Sequence, residues 1–221
     1  MGNWIALQTS DGHSLHAYRA GPAGAARGGV VLLQEIFGVN SHIRDLVDGL
    51  AADGYDTVAP ALFDRIGPGI ELGYTDEDVT KGRDLRAGLD FDTVMLDVAA
   101  ARDCVAGSGK VGAVGYCWGG TLAWLAATRL NVACAVGYYG SMTVDFVDEE
   151  PTSPVTMMLG EEDTTFGPEK IEAISARHPD VVMFTYPAGH GFACDQRGSW
   201  HEASTRLARE RTLDVFQRYL G

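Results

Sequence analysis

The chain is short of positive charge. Lysine and arginine together number 17 against 30 aspartates and glutamates, a formal net charge of −13 over 221 residues. Such a field opposes binding to nucleic acid or to an anionic membrane surface, both of which need basic patches. It also makes any site for an anionic substrate depend on a local cationic group. Long apolar runs are missing too, none approaching the roughly 18 consecutive residues of a membrane span. The stretch from Met1 to Gln8 lacks the basic-then-apolar order of a secretory signal. Ala6 stands where a myristoylation motif has Ser or Thr, so a cytoplasmic location is expected. Cysteine occurs only at 104, 117, 134 and 194, with no Cys-x-x-Cys pair. Four such residues read as reduced thiols, not as a disulfide framework. His13 and His16 complete no metal motif and are expected at the surface. Neither a metal nor an organic cofactor is expected, and no repeat or low-complexity tail is present.

What remains is an alternation of apolar strands and amphipathic helices. Ile5 to Leu7 and Leu15 to Tyr18 flank an Asp11-Gly12 turn and predict a hairpin. Val30-Val31-Leu32-Leu33 is a continuous apolar run, the mark of a strand covered on both faces. Ser41 is a candidate cap for a helix running to about Asp53, and Tyr55 to Ala59 predicts the next strand. Residues 61 to 76 read as an irregular excursion. Helical spacing returns at Glu77 to Arg86 and, more strongly, at Phe91 to Val105. Strands at about 132–139, 154–159 and 181–186 and helices at about 168–178 and 201–219 complete the pattern. The hydrophobic content of 46% suits one core, so a single α/β domain over residues 1–221 is expected. Its sheet should be mostly parallel, with sites at the carboxyl ends of the strands.

One stretch organises the rest. Val111 to Tyr116 reads as a buried strand, Thr121 to Ala127 as the start of a helix, and between them lies Gly115-Tyr116-Cys117-Trp118-Gly119. Gly-x-Cys-x-Gly is the nucleophile-elbow pattern with sulfur in place of the serine oxygen. A strand turning into a helix within two residues strains the central residue and exposes its side chain above the sheet. The helix N-terminus beneath it favours a thiolate.

Three further loops follow predicted strands and carry one polar residue each: Glu35, Asp163 and His190. The order Cys117, Asp163, His190 is that of an α/β-hydrolase triad. Separations of 46 and 27 residues leave room for a helix–strand unit between members. In that arrangement His190 takes the thiol proton and later protonates the leaving group, while Asp163 fixes the imidazole tautomer. Glu35 beside a thiol would raise the thiol pKa, so it either holds the resting thiol or acts as a base in a substrate-gated step. The Ile36 and Trp118 backbone N–H groups are expected to form the oxyanion hole. Cys104 and Cys134 read as structural, and Cys194 is left open.

Gln34-Glu35-Ile36-Phe37-Gly38-Val39-Asn40, Gly115-Tyr116-Cys117-Trp118-Gly119-Gly120, Gly137-Tyr138-Tyr139-Gly140 and Ala188-Gly189-His190-Gly191-Phe192 together resemble dienelactone hydrolase (carboxymethylenebutenolidase). The resemblance runs from about residue 5 to the last helix. It implies the α/β-hydrolase fold and cofactor-free hydrolysis of a cyclic enol ester in bacterial chloroaromatic breakdown. The substrate would be a small lactone or ester, handled by a monomer or weak homodimer. The resemblance carries Cys117, Asp163 and His190 over as the triad and makes Glu35 the partner of the resting thiol. Phe37 and Tyr138, from the shared motifs, are expected substrate contacts. One departure matters: where the family has an arginine four residues after the histidine, this chain has Cys194. Arg83, Arg86 or Arg197 is therefore expected to grip a substrate carboxylate. Lys81 is the weakest candidate because it cannot pair bidentately. Broader carboxylesterase or thioesterase activity, or a non-catalytic thiol-binding or redox-sensing module, are the alternatives.

Overall fold

A computed structural model describes all residues 1–221. Eight strands form one sheet: β1 (Asn3–Gln8), β2 (Ser14–Ala20), β3 (Gly29–Leu33), β4 (Asp56–Pro60), β5 (Val111–Tyr116), β6 (Cys134–Tyr138), β7 (Val155–Gly160) and β8 (Val182–Tyr186). Their spatial order is β1-β2-β4-β3-β5-β6-β7-β8. The hairpin β1–β2 joins antiparallel, with Leu7 opposite Leu15, and every pairing from β3 to β8 is parallel. This is the α/β-hydrolase architecture. The parallel strands β3, β4, β5, β6 and β7 are buried at every position, in keeping with the unbroken apolar runs of β3, β5 and β6.

Six helices cover the sheet: α1 (Ser41–Ala52), α2 (Asp76–Ala87), α3 (Phe91–Val105), α4 (Trp118–Arg129), α5 (Pro168–Arg177) and α6 (Glu202–Tyr219). Two apolar clusters result. One gathers Val94, Val98 and Ala101 of α3 and Leu122 and Trp124 of α4 against alternate strand residues. The other packs Ile43 and Val47 of α1 and Ala208 and Phe216 of α6 on the opposite face. The cap of α1 is Asn40, not Ser41: its side chain accepts a hydrogen bond from the Ile43 amide and its backbone is extended. Both residues are good caps, and Asn40 is the one held in place, through bonds to the Leu72 carbonyl and the Tyr74 hydroxyl. No helix is long and apolar enough to cross a membrane.

α2 is polar and unlike the others in its attachment. Thr75 and Asp78 close a capping box at its start. Gly82 is its one buried residue, and a Cβ there would stand 2.3 Å from the Ile36 carbonyl oxygen. That close approach lays α2 across the loop after β3.

Candidate active site

Cys117 occupies the turn between β5 and α4 at φ 54° and ψ −117°, the strained conformation expected of an elbow. The turn has no room for side chains on its inner side: a Cβ on Gly119 would lie 2.1 Å from the Leu33 carbonyl oxygen. The Cys117 amide donates to the Tyr138 carbonyl, tying the elbow to β6. Its half-buried Sγ lies 3.2 Å from His190 Nε2.

His190 sits on the loop after β8, with Nδ1 2.8 Å from Asp163 Oδ2. Asp163 lies after β7, its carboxylate fully buried. Its other oxygen accepts from the Thr165 amide at 2.8 Å and the Thr165 hydroxyl at 2.7 Å. Burial alone would raise the Asp163 pKa, but the bonds from His190 and Thr165 outweigh it and hold the carboxyl below its usual range. Burial likewise opposes charge on His190. Negative charge on the Cys117 sulfur and the Asp163 carboxylate overcome it and push the imidazole pKa up to about 10. The bond to the buried Asp163 carboxylate thus favours the protonated imidazole. Thr165 had no signature beyond its place two residues after an aspartate, an Asx-turn spacing.

These groups open onto a cavity of about 350 Å³ that also takes in Ile36, Trp118 and Phe37. The Trp118 N–H, at the first position of α4, has no intrahelical acceptor, and the Ile36 N–H bonds to nothing in the protein. Arg83, Arg86 and Arg197 all reach the cavity wall. Lys81 is exposed and does not. The arginines differ in their pairing. Arg197 donates to Glu35 Oε1 at 3.3 Å. Arg83 and Arg86 form no ion pair with a carboxylate, Asp145 acting on Arg86 only from further off, and the Arg86 Nε is buried without a hydrogen-bond partner. Burial pushes the Arg86 pKa down, while the guanidinium rests 4.6 Å from the Phe91 ring centre.

Two expectations are met differently. Glu35 is fully buried and bonds to Arg197, while the thiol faces His190. Tyr138 is no substrate contact. Its side chain lies on the α1–α6 face, fully buried, with its hydroxyl 2.7 Å from Thr212 Oγ1 and its ring stacked on Tyr116. Both faces of β6 are apolar, so the motif carries no sign of which side the tyrosine takes. The neighbouring Tyr139, at φ 39°, packs its ring 5.0 Å from that of His190 instead. Cys194 is buried outside the cavity, and Cys134 lies in the core. Cys104 is half-buried beside Arg19. His16 is exposed and pairs with Asp64, whereas His13 is half-buried.

The family model of the dienelactone hydrolase family matches residues 15–220. The chain belongs to that family. It is accordingly a hydrolase that acts on ester bonds. Carboxymethylenebutenolidase of Pseudomonas putida is 35% identical over 221 residues, covering 95% of this chain and 94% of that one. Carboxymethylenebutenolidase 1 of Cupriavidus pinatubonensis is 32% identical over 224 residues, covering 96% and 94%. Among solved structures, a candidate dienelactone hydrolase from Klebsiella pneumoniae superposes with a TM-score of 0.85 at 29% identity, over 98% of this chain and 100% of that one.

Proposed function

We propose that the chain hydrolyses a carboxylate-bearing cyclic enol ester, a dienelactone, with Cys117 as nucleophile, His190 as acid and base, and Asp163 orienting the histidine. The observation that carries this reading is the unbroken line from sulfur to imidazole to carboxylate, at 3.2 Å and 2.8 Å, facing a cavity rimmed by arginines.

Cys117 Sγ attacks the lactone carbonyl carbon, and the carbonyl oxygen takes the charge between the Ile36 and Trp118 amides. Collapse breaks the ring C–O bond. The departing enolate is resonance-stabilised and takes its proton from His190 Nε2. The product remains attached as a thioester. Water, deprotonated by the now neutral His190, attacks that thioester; the S–C bond breaks and the acid leaves, its enol end tautomerising to a ketone. Asp163 stays ionised throughout and stabilises the imidazolium at each stage. Arg86, with Arg83 beside it, receives the substrate carboxylate. Glu35 and Arg197 neutralise one another next to the thiolate, which removes the like charge that would otherwise oppose it.

The test is a hydrolysis screen of cis- and trans-dienelactone against neutral p-nitrophenyl esters, with the native chain and Cys117→Ser. The expected result is a higher kcat/KM on the dienelactones and a loss of about a thousandfold or more in the variant. A preference for neutral esters would make the enzyme a general carboxylesterase on the same residues. Activity surviving in Cys117→Ser would remove the sulfur nucleophile.

A further inference from the structure

Glu35 is under-satisfied for a buried carboxylate. Its side chain is fully buried, yet it accepts one bond only, from Arg197 at 3.3 Å, and Oε2 has no partner. Charge-assisted N–H···O bonds are normally about 2.7–2.9 Å, so even that one is long. His42, the second residue of α1, is 3% exposed and in a matching state. Its Nδ1 is 3.3 Å from Asp195 Oδ1, while Nε2 is buried with no partner. Cys194 completes the group. It is fully buried, and ligand atoms of Glu35, His42 and Cys194 all lie within 4.8 Å of one another.

We propose that Glu35, His42 and Cys194 form a site for a thiophilic divalent cation of the Zn²⁺ class. The donor set of one thiolate, one imidazole and one carboxylate is the mixture that Zn²⁺ takes in tetrahedral sites. Bond lengths of about 2.0–2.3 Å put the donors of such a site roughly 3.3–3.7 Å apart. The contraction from 4.8 Å is within reach of side-chain rotation on fixed backbones. The backbones are indeed fixed: the Cys194 amide bonds to the Gly191 carbonyl, and its own carbonyl accepts from the Arg197 amide. His42 follows the Asn40 cap.

The surroundings suit the role. A histidine whose Nδ1 faces a carboxylate is steered to present Nε2 as a lone pair, the usual orientation of a metal-ligating imidazole, and Asp195 Oδ1 lies 3.3 Å from His42 Nδ1. The Tyr74 hydroxyl accepts from Asn40 Nδ2, which leaves its own proton free for the nearby Cys194 sulfur. Glu35 and a Cys194 thiolate carry two negative charges against the single positive charge of Arg197, so the site would hold a net −1 to attract a dication. The three ligands come from a loop, a helix and a second loop far along the chain, which is why no local spacing announces them.

The cation would engage the free oxygen of Glu35, one residue from the Ile36 amide, so occupancy would be felt in the catalytic cavity. Binding itself is the decisive readout and does not depend on the catalytic assignment. The full-length protein, stripped with a chelator, is titrated with Co²⁺ while the thiolate-to-metal charge-transfer absorption in the near ultraviolet is followed, and Zn²⁺ is then added as competitor. The expected result is one Co²⁺ per chain, displaced by Zn²⁺. The band survives Cys117→Ser, vanishes in Cys194→Ser, and demands more than about a hundredfold more Co²⁺ in Glu35→Gln or His42→Gln. Asp195→Ala, which removes only the support behind His42, should weaken binding about tenfold. Circular dichroism on each variant separates loss of the site from loss of the fold, and the isosteric Glu35→Gln carries the test if a replacement at 42 or 194 unfolds. Absence of a band with excess Co²⁺, or a band that follows Cys117 rather than Cys194, would overturn the proposal, the second by placing the ion on the Cys117–His190 pair.

Discussion

Replacing Arg86 by methionine separates the proposed anion contact from everything else that an arginine does. The Arg86 guanidinium has no carboxylate partner, its Nε is buried and unpaired, and burial depresses its pKa. A charge so placed gains little in the free protein and much when an anion arrives. A hydrogen bond to a charged group contributes about 1.5–3 kcal/mol. Loss of about 2 kcal/mol corresponds to roughly a 30-fold rise in KM for a carboxylated lactone. A neutral p-nitrophenyl ester should be nearly unaffected. Methionine loses the guanidinium's contact with the Phe91 ring but also removes a buried, unpaired donor, so the melting temperature should change little. Arg197→Met is the contrast. It removes the one hydrogen-bond donor to a fully buried Glu35, and stranding a buried charge costs about 3–5 kcal/mol. In a chain of this size that lowers the melting temperature by roughly 10 °C. Steady-state kinetics on both substrates, with thermal unfolding of each variant, decide the matter. If Arg83→Met, Arg86→Met and Arg197→Met all leave the charged-to-neutral preference unchanged, no arginine receives a substrate carboxylate and the dienelactone reading fails.

Four other outcomes are expected. Asp163→Asn should lower kcat by about a hundredfold or more while His190→Ala lowers it further, since the first misorients the base and the second deletes it; near-native activity in Asp163→Asn would show that another group orients His190. Gly82→Ala, whose Cβ would meet the Ile36 carbonyl at 2.3 Å, should push α2 off that loop, cost about 1–3 kcal/mol and raise KM for charged substrates, checked by urea unfolding and kinetics. Because His190 binds its proton more tightly folded than unfolded, that stabilisation is complete below pH about 6.5 and fades as pH rises toward about 10. The melting-temperature gap between the native chain and His190→Gln should narrow over that window, and a gap that widens would contradict the ion pair. Iodoacetamide should label Cys117 before the half-buried Cys104, and both well before Cys134 and Cys194, whose thiols burial pushes up to about 12 and about 11; peptide mapping by mass spectrometry reads the order.

The elements were legible wherever one physical signal governed them. α3 begins and ends at Phe91 and Val105 as its three- and four-residue apolar steps predict, and β5 with its elbow lies where Gly-x-Cys-x-Gly requires. The grouping of Cys117, His190 and Asp163 could be read because each follows a strand, and a parallel sheet brings strand ends together whatever their distance in sequence. The failures share another cause. Asn40 and Ser41 are adjacent capping residues, and only tertiary bonds to Asn40 choose between them. Tyr138 lies on a strand buried on both faces, where alternation gives no inside or outside. Thr165 joins the site through His190 on a distant loop, and His42 faces Asp195 far along the chain.

The same limit explains the arginines. Sequence could place three of them near the site without ranking them, because rank depends on what each already holds. The loop that carries Cys194 at the family's arginine position turns back on itself, so that Arg197 packs against Gly191 and reaches the cavity three residues later. Its charge is spent on Glu35. A relocated cation is therefore no longer a free one, and in the proposed function recruitment of an anion passes to α2, where Arg83 and Arg86 stand one helical turn apart. With the Cys117–His190 pair adding no net charge, and Glu35 and Arg197 cancelling, the two α2 arginines outweigh the remaining charge of Asp163. The cavity thus keeps a small positive surplus inside a protein of formal net charge −13. Long-range repulsion slows the approach of a carboxylate but cannot cancel a contact made at hydrogen-bond distance, because the repelling charges are screened by salt and the contact is not.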